Sequence, residues 1–285
     1  TMIDAIETVR RAVARARPRT GRVRLLALAA AIVGSVALTT WWLPEALVSH
    51  AVAVLPEPTR AEIGGEVVEA LARVSAAPCR APQADRALAD LAAMLTPQSR
   101  FAKIRATRSD VAARAEPALW ARGGAWPGIV VLPDGVEGAR FLPGGIVLVG
   151  RSLVEDFETP EVLAGHLLEA DLRADVSPPL GAVLRAAGPF ATAQVLTTGH
   201  LPGGALDRYA EALMTGEESP VDEAALLARF AEARLSTAPF AYARDVTGET
   251  VLSLIEADPM RGKEARPLMR PADWAALQEI CAARD

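Results

Sequence analysis

Few residues in this chain have types and spacing that could do chemistry. Among 285 residues there are three histidines, His50, His166 and His200, and two cysteines, Cys79 and Cys281. His166 and Glu169 form an H-x-x-E step, which on a helix sets an imidazole and a carboxylate on one face. That step is half of the inverted zinc motif H-x-x-E-H. The next residue is Ala170, so the second histidine of the motif is absent. With Asp207 as a third donor, His166 and Glu169 could still hold a divalent ion weakly. The spacing favours a plainer reading, in which His166 packs on its helix and Glu169 pairs with Arg173 at i,i+4. His200 sits in Thr-Gly-His-Leu-Pro-Gly-Gly and reads as a solvated loop residue. His50 follows a long apolar run and reads as interfacial. The chain contains no G-x-S-x-G, phosphate-binding loop or dinucleotide fingerprint, and no resident cofactor is expected.

The cysteines suggest structure rather than catalysis. Two of them exclude a disulfide-dense scaffold and a four-cysteine zinc site. Cys79 falls between two early helical stretches and Cys281 lies in the last one. A Cys79–Cys281 disulfide is expected, in preference to two separate buried thiols. It would close a loop of about 203 residues and contribute roughly 4–5 kcal/mol on a chain-entropy argument.

The elements that must position these groups follow from charge and hydropathy. Residues 1–24 hold seven arginines against Asp4 and Glu7, a net charge of +5, whereas the whole chain is at −5. That balance is poor for nucleic-acid binding, and no such partner is expected. Leu25 to Leu43 follows with no charge and no proline, and ends in Trp41, Trp42 and Leu43 before Pro44. As a helix it would reach ~28 Å, near the thickness of a bilayer's hydrocarbon core. The expected organisation is a basic cytoplasmic segment at 1–24, a single transmembrane helix at 25–43 broken by Pro44, and a folded domain at 44–285. Arginine clusters stay on the cytoplasmic side. The expected location is therefore the inner membrane, with the domain in the periplasm.

Within that domain the pattern predicts helices over Glu45–Leu55, Glu62–Ala76 and Gln83–Met94. Gly128–Pro133 and Ile146–Val149 are short β-branched runs and read as strands, with a turn at Phe141–Gly145 between them. Thr159-Pro160-Glu161 opens a helix that runs to about Asp175. Further helices are expected at 180–197, 204–215, 221–234 and Pro271–Ala283. The fold class is α+β, mostly helical with a small β-sheet.

Phe141 to Arg173 reads FLPGGIVLVGRSLVEDFETPEVLAGHLLEADLR. A Leu-Pro-Gly-Gly turn, a strand, a short helix, a Thr-Pro-Glu start and a long helix follow in order. This resembles the membrane-associated zinc metallopeptidases of the HtpX, Oma and Ste type, the gluzincins, over roughly residues 60–260. The resemblance implies a gluzincin-like domain with HExxH on that long helix and a later glutamate ligand. Aligned on the helix start, HExxH falls on Glu169-Ala170-Asp171-Leu172-Arg173. Glu169 replaces the first histidine, Ala170 the general base and Arg173 the second histidine. The later ligand motif best matches Asp207-Arg208-Tyr209-Ala210-Glu211. Ser236-Thr237-Ala238-Pro239 matches a further element, with Ala238 where the family often has a histidine.

These replacements imply a membrane-anchored, catalytically inactive metallopeptidase-like protein. It would serve as a binding adaptor or accessory subunit of the cell envelope, partnered by the bilayer and another envelope protein. The family's groove accepts extended peptides. Here Pro143, Gly144, Gly145, Ile146 and Val147 are the expected peptide-binding edge. The alternatives are an active membrane-bound zinc metalloendopeptidase with an atypical site, and a purely structural subunit of a membrane complex. Zinc enters only under the first of these.

Overall fold

The computed structural model describes residues 20–38, 42–95, 128–216, 220–264 and 267–282. Their helices are α1 (Thr20–Ala37), α2 (Leu43–Val54), α3 (Glu57–Val74) and α4 (Pro82–Met94). Strands β1 (Ile129–Leu132), β2 (Ala139–Phe141) and β3 (Val147–Gly150) come next. They are followed by α5 (Ser152–Glu155), α6 (Pro160–Val176), α7 (Pro179–Ala187), α8 (Pro189–Thr198) and α9 (Gly203–Thr215). The chain closes with α10 (Glu223–Ala233), α11 (Ala238–Arg244), α12 (Leu252–Glu256) and α13 (Pro271–Gln278). It is mostly helical with one small sheet, an α+β arrangement as the pattern predicted.

The chain divides into two units, Thr1–Leu47 and Val48–Asp285. In the first unit, α1 leaves Leu25, Leu26, Leu28, Ile32, Val33 and Val36 exposed. Among the described residues no helix is long and apolar enough to cross a membrane. Residues 39–41 of the expected 25–43 span lie outside the described residues, as does the basic segment up to residue 19. Pro44 does not end a helix. It sits in the first turn of α2, where its missing N–H costs nothing.

In the second unit the sheet order is β1-β3-β2. β3 pairs parallel with β1, Ile129 opposite Val147, and antiparallel with β2, Phe141 opposite Val147. β1 and β3 are buried on both faces, which explains why each reads as an unbroken apolar run. Ile129, Val131, Val147 and Val149 join one core with α4, α6 and α10–α13. Val130, Leu132 and Leu148 join a second core with α2, α3 and α7–α9.

Two expectations are corrected here. Residues 143–147 are not a sheet edge. Val147 opens the central strand, bonded on both sides, and its N–H donates to the Gly128 carbonyl at 2.7 Å. The Pro143–Gly145 turn packs onto α3: a Cβ on Gly64 would come within 2.1 Å of the Pro143 carbonyl, and one on Gly144 within 2.2 Å of Ala61. Gly144 also sits at φ 74, where glycine is the ordinary choice. The edge strands are β1 and β2, and Phe141, expected in a turn, ends β2. The helix expected over 180–197 is two helices, divided at Gly188 (φ 86) and Pro189.

The disulfide Cys79–Cys281 is present, across a sequence separation of 202. The Cys79 N–H donates to the Val131 carbonyl at 2.9 Å, so the bridge fastens the C-terminal end of the chain beside β1.

Candidate functional site

The H-x-x-E step lies in the middle of α6, and among the described residues the buried acids are on α6. Glu169 and Asp171 are both buried there. Asp171 faces Arg229 of α10 at 3.3 Å, and Arg229 also bonds Asp175. Glu169 points the other way. Its Oε1 accepts from Arg244 at 3.2 Å and lies 3.2 Å from the Arg173 guanidinium. His166 Nδ1 stands 3.8 Å from its Oε2, beyond hydrogen-bond distance. The expected Glu169–Arg173 pair is therefore present. Arg244, at the end of α11, is a partner that sequence spacing could not supply.

Local structure explains how Arg244 reaches the site. Gly165 on α6 lets the Phe240 ring approach so closely that a Cβ there would meet it at 2.6 Å. Phe240 then packs edge-on to the His166 ring, centroids 5.0 Å apart, and Arg244 lies over Phe240 at 5.4 Å. The start of α11 is held by the Ser236–Pro239 element. Ser236 Oγ donates to Asp258 at 2.6 Å, and the Thr237 hydroxyl donates to the Leu254 carbonyl at 2.5 Å. In this chain that element is a capping joint.

Burial, with Arg244 and Arg173 nearby, lowers the His166 pKa to about 4. At neutral pH the ring is uncharged. The set His166, Glu169 and Asp207 does not form a site. Among the described residues these three are not drawn together as metal donors. Asp207 instead pairs with Arg73 of α3 at 2.6 Å. Zinc does not fit the aligned positions either. Ala170 offers no donor, and the two guanidinium groups on Glu169 would oppose a dication.

A cleft of about 720 Å³ opens beside this cluster, lined by Glu137, Arg140, His166, Glu169, Met214 and Arg244 among others. An adjoining hollow of about 280 Å³ runs over Ala139, Phe141, Ala170 and Tyr209. Edge strand β2 thus borders the cleft, and Arg140 on it donates to the Gly216 carbonyl at 3.0 Å. Burial pushes the Tyr209 hydroxyl up to about 12, so it remains protonated.

No family model matches this chain, and no curated protein matches it.

His200 is indeed an exposed loop residue, but it has company. Its Nδ1 stands 3.7 Å from Glu62 and 3.7 Å from Glu66, both on α3. Sequence spacing pairs no acid with His200, because Glu62 and Glu66 lie more than 130 residues before it. His50 lies exposed on α2.

Proposed function

We propose that this protein is a membrane-tethered, non-catalytic binding protein whose gluzincin-like domain has lost its metal chemistry. The observation that carries the reading is the Glu169 carboxylate with Arg173 and Arg244 both at 3.2 Å. In the family it resembles, that place calls for neutral histidines and a glutamate base. Here it holds two permanent cations, a neutral imidazole and an alanine. The cleft over β2, α6 and α9 would take an extended segment of an envelope partner, with binding and no bond cleavage.

The apolar helix supports the tether. From Leu25 to Ala37 α1 carries no charge and exposes large aliphatic side chains, and such a stretch is stable in a core or a bilayer. The sequence continues that apolar run to Leu43, and the arginines before it would hold the N-terminal side in the cytoplasm. The folded unit would then occupy the periplasm, where a disulfide persists.

The test combines two measurements. A photoreactive residue at Met214, in the cleft, is introduced into the full chain in membranes. The purified full chain is assayed for peptide cleavage with zinc. A cross-linked envelope protein lost on Arg244→Glu, with no cleavage, is the expected result. Zinc-dependent cleavage abolished by His166→Ala or Glu169→Gln would overturn the reading.

A further inference from the structure

The residues that converge as metal donors are not on α6. On α3, Glu62 and Glu66 stand one helical turn apart, and the loop between α8 and α9 sets His200 against them. One ligand atom from each of the three lies within 4.8 Å of the others. The imidazole is 3.7 Å from both carboxylates, too far for a hydrogen bond. It is near the spacing a shared ion imposes: donors bound at about 2.1 Å around a tetrahedral ion stand about 3.4 Å apart.

The charge balance points the same way. Carboxylates at i,i+4 repel, and Glu69 adds to the negative field at Glu66. Among the described residues, His200 is the one ion-pair partner of Glu62 and of Glu66, and no arginine or lysine answers them. The Glu66 Oε2 atom is buried and has no hydrogen-bond partner. A cation lodged between these groups would relieve both the repulsion and the unsatisfied oxygen. The loop is also shaped to present the ring. Gly199 turns at φ 81, and the His200 N–H donates to Thr198 Oγ1 at 3.3 Å.

We propose that Glu62, Glu66 and His200 bind a divalent transition-metal cation of the zinc class. One imidazole with two carboxylates suits Zn²⁺ or Mn²⁺ better than Ca²⁺, which prefers six or more oxygens. Water completes the shell, since Glu62 and His200 are both more than half exposed. The site is separate from the α6 cluster and does not depend on how that cluster is read.

The test is equilibrium dialysis of the full chain in detergent against zinc, with bound metal counted by mass spectrometry. One zinc per chain is expected. His200→Ala, and separately the double change Glu62→Gln/Glu66→Gln, weaken binding by roughly ten-fold or more. His166→Ala and Glu169→Gln leave that binding as it was. The metal-free melting temperatures of the His200→Ala and double variants stay close to the wild type, because no arginine or lysine among the described residues depends on the groups removed. No zinc bound by the wild type, or binding that survives both the His200 and the double variant, would overturn the proposal.

Discussion

Two clusters in this protein contain the same kinds of residue, and they are prepared for different tasks. On α6, His166 and Glu169 are buried and joined by Arg173 and Arg244. On α3, Glu62 and Glu66 face His200 at the surface with no guanidinium between them. A histidine with carboxylates is therefore not itself a metal site. The charge around it decides. Arginine fills the place of a cation in the first cluster, and that place is open in the second.

The largest test of this contrast is to remove one carboxylate from each. Glu169→Ala would remove the buried carboxylate that Arg173 and Arg244 both contact. Chemical denaturation at pH 7 should show a loss of about 3 kcal/mol. Glu66→Ala removes a half-buried carboxylate on which no arginine or lysine depends among the described residues, and should cost no more than about 1 kcal/mol. Equal losses at the two sites would erase the distinction.

Acid should also act on the α6 cluster. His166 has a folded pKa of about 4 against an ordinary value of 6.5. The unfolded chain then binds more protons between those values, so stability falls as pH drops from ~6.5 to ~4 and is flat above. For a largely buried ring the full span is about 3 kcal/mol as an upper estimate. His166→Asn should flatten that part of the profile, measured as stability against pH.

A third prediction concerns how Arg244 is delivered. Gly165→Ala would push a methyl into the Phe240 ring and separate α6 from α11. The expected cost is about 1–3 kcal/mol. The His166 imidazole resonance in NMR should shift with it, since Phe240 packs on that ring. The smallest effect is at the surface cluster without metal. Glu62→Gln removes a like-charge neighbour of Glu66 and should change stability by no more than about 0.5 kcal/mol, in the stabilising direction.

Local features were legible in the sequence. The β1 and β3 runs, the α6 start at Pro160 and the Cys79–Cys281 bridge all follow from residue type and spacing. So does the Glu169–Arg173 pair, which lies at i,i+4 on one helix. Long-range pairing was not legible. The order β1-β3-β2 depends on β2, three residues long and interrupted by the polar Arg140, which carries almost no strand signal. For that reason the pattern points to an edge at residues 143–147, whereas β3 is central and β1 and β2 flank it. Arg244 and His200 are likewise placed by tertiary contacts across 75 and 134 or more residues. A periodic pattern along one helix holds no information about them.

Arg173 and Arg244 on Glu169 leave the α6 cluster unsuited to a metal ion, and zinc content in the His200→Ala background tests this most directly. With the surface site removed, the purified full chain should retain well under one zinc after dialysis, and Glu169→Gln should not change that figure. One tightly held zinc per chain, lost on Glu169→Gln or His166→Ala, would contradict it.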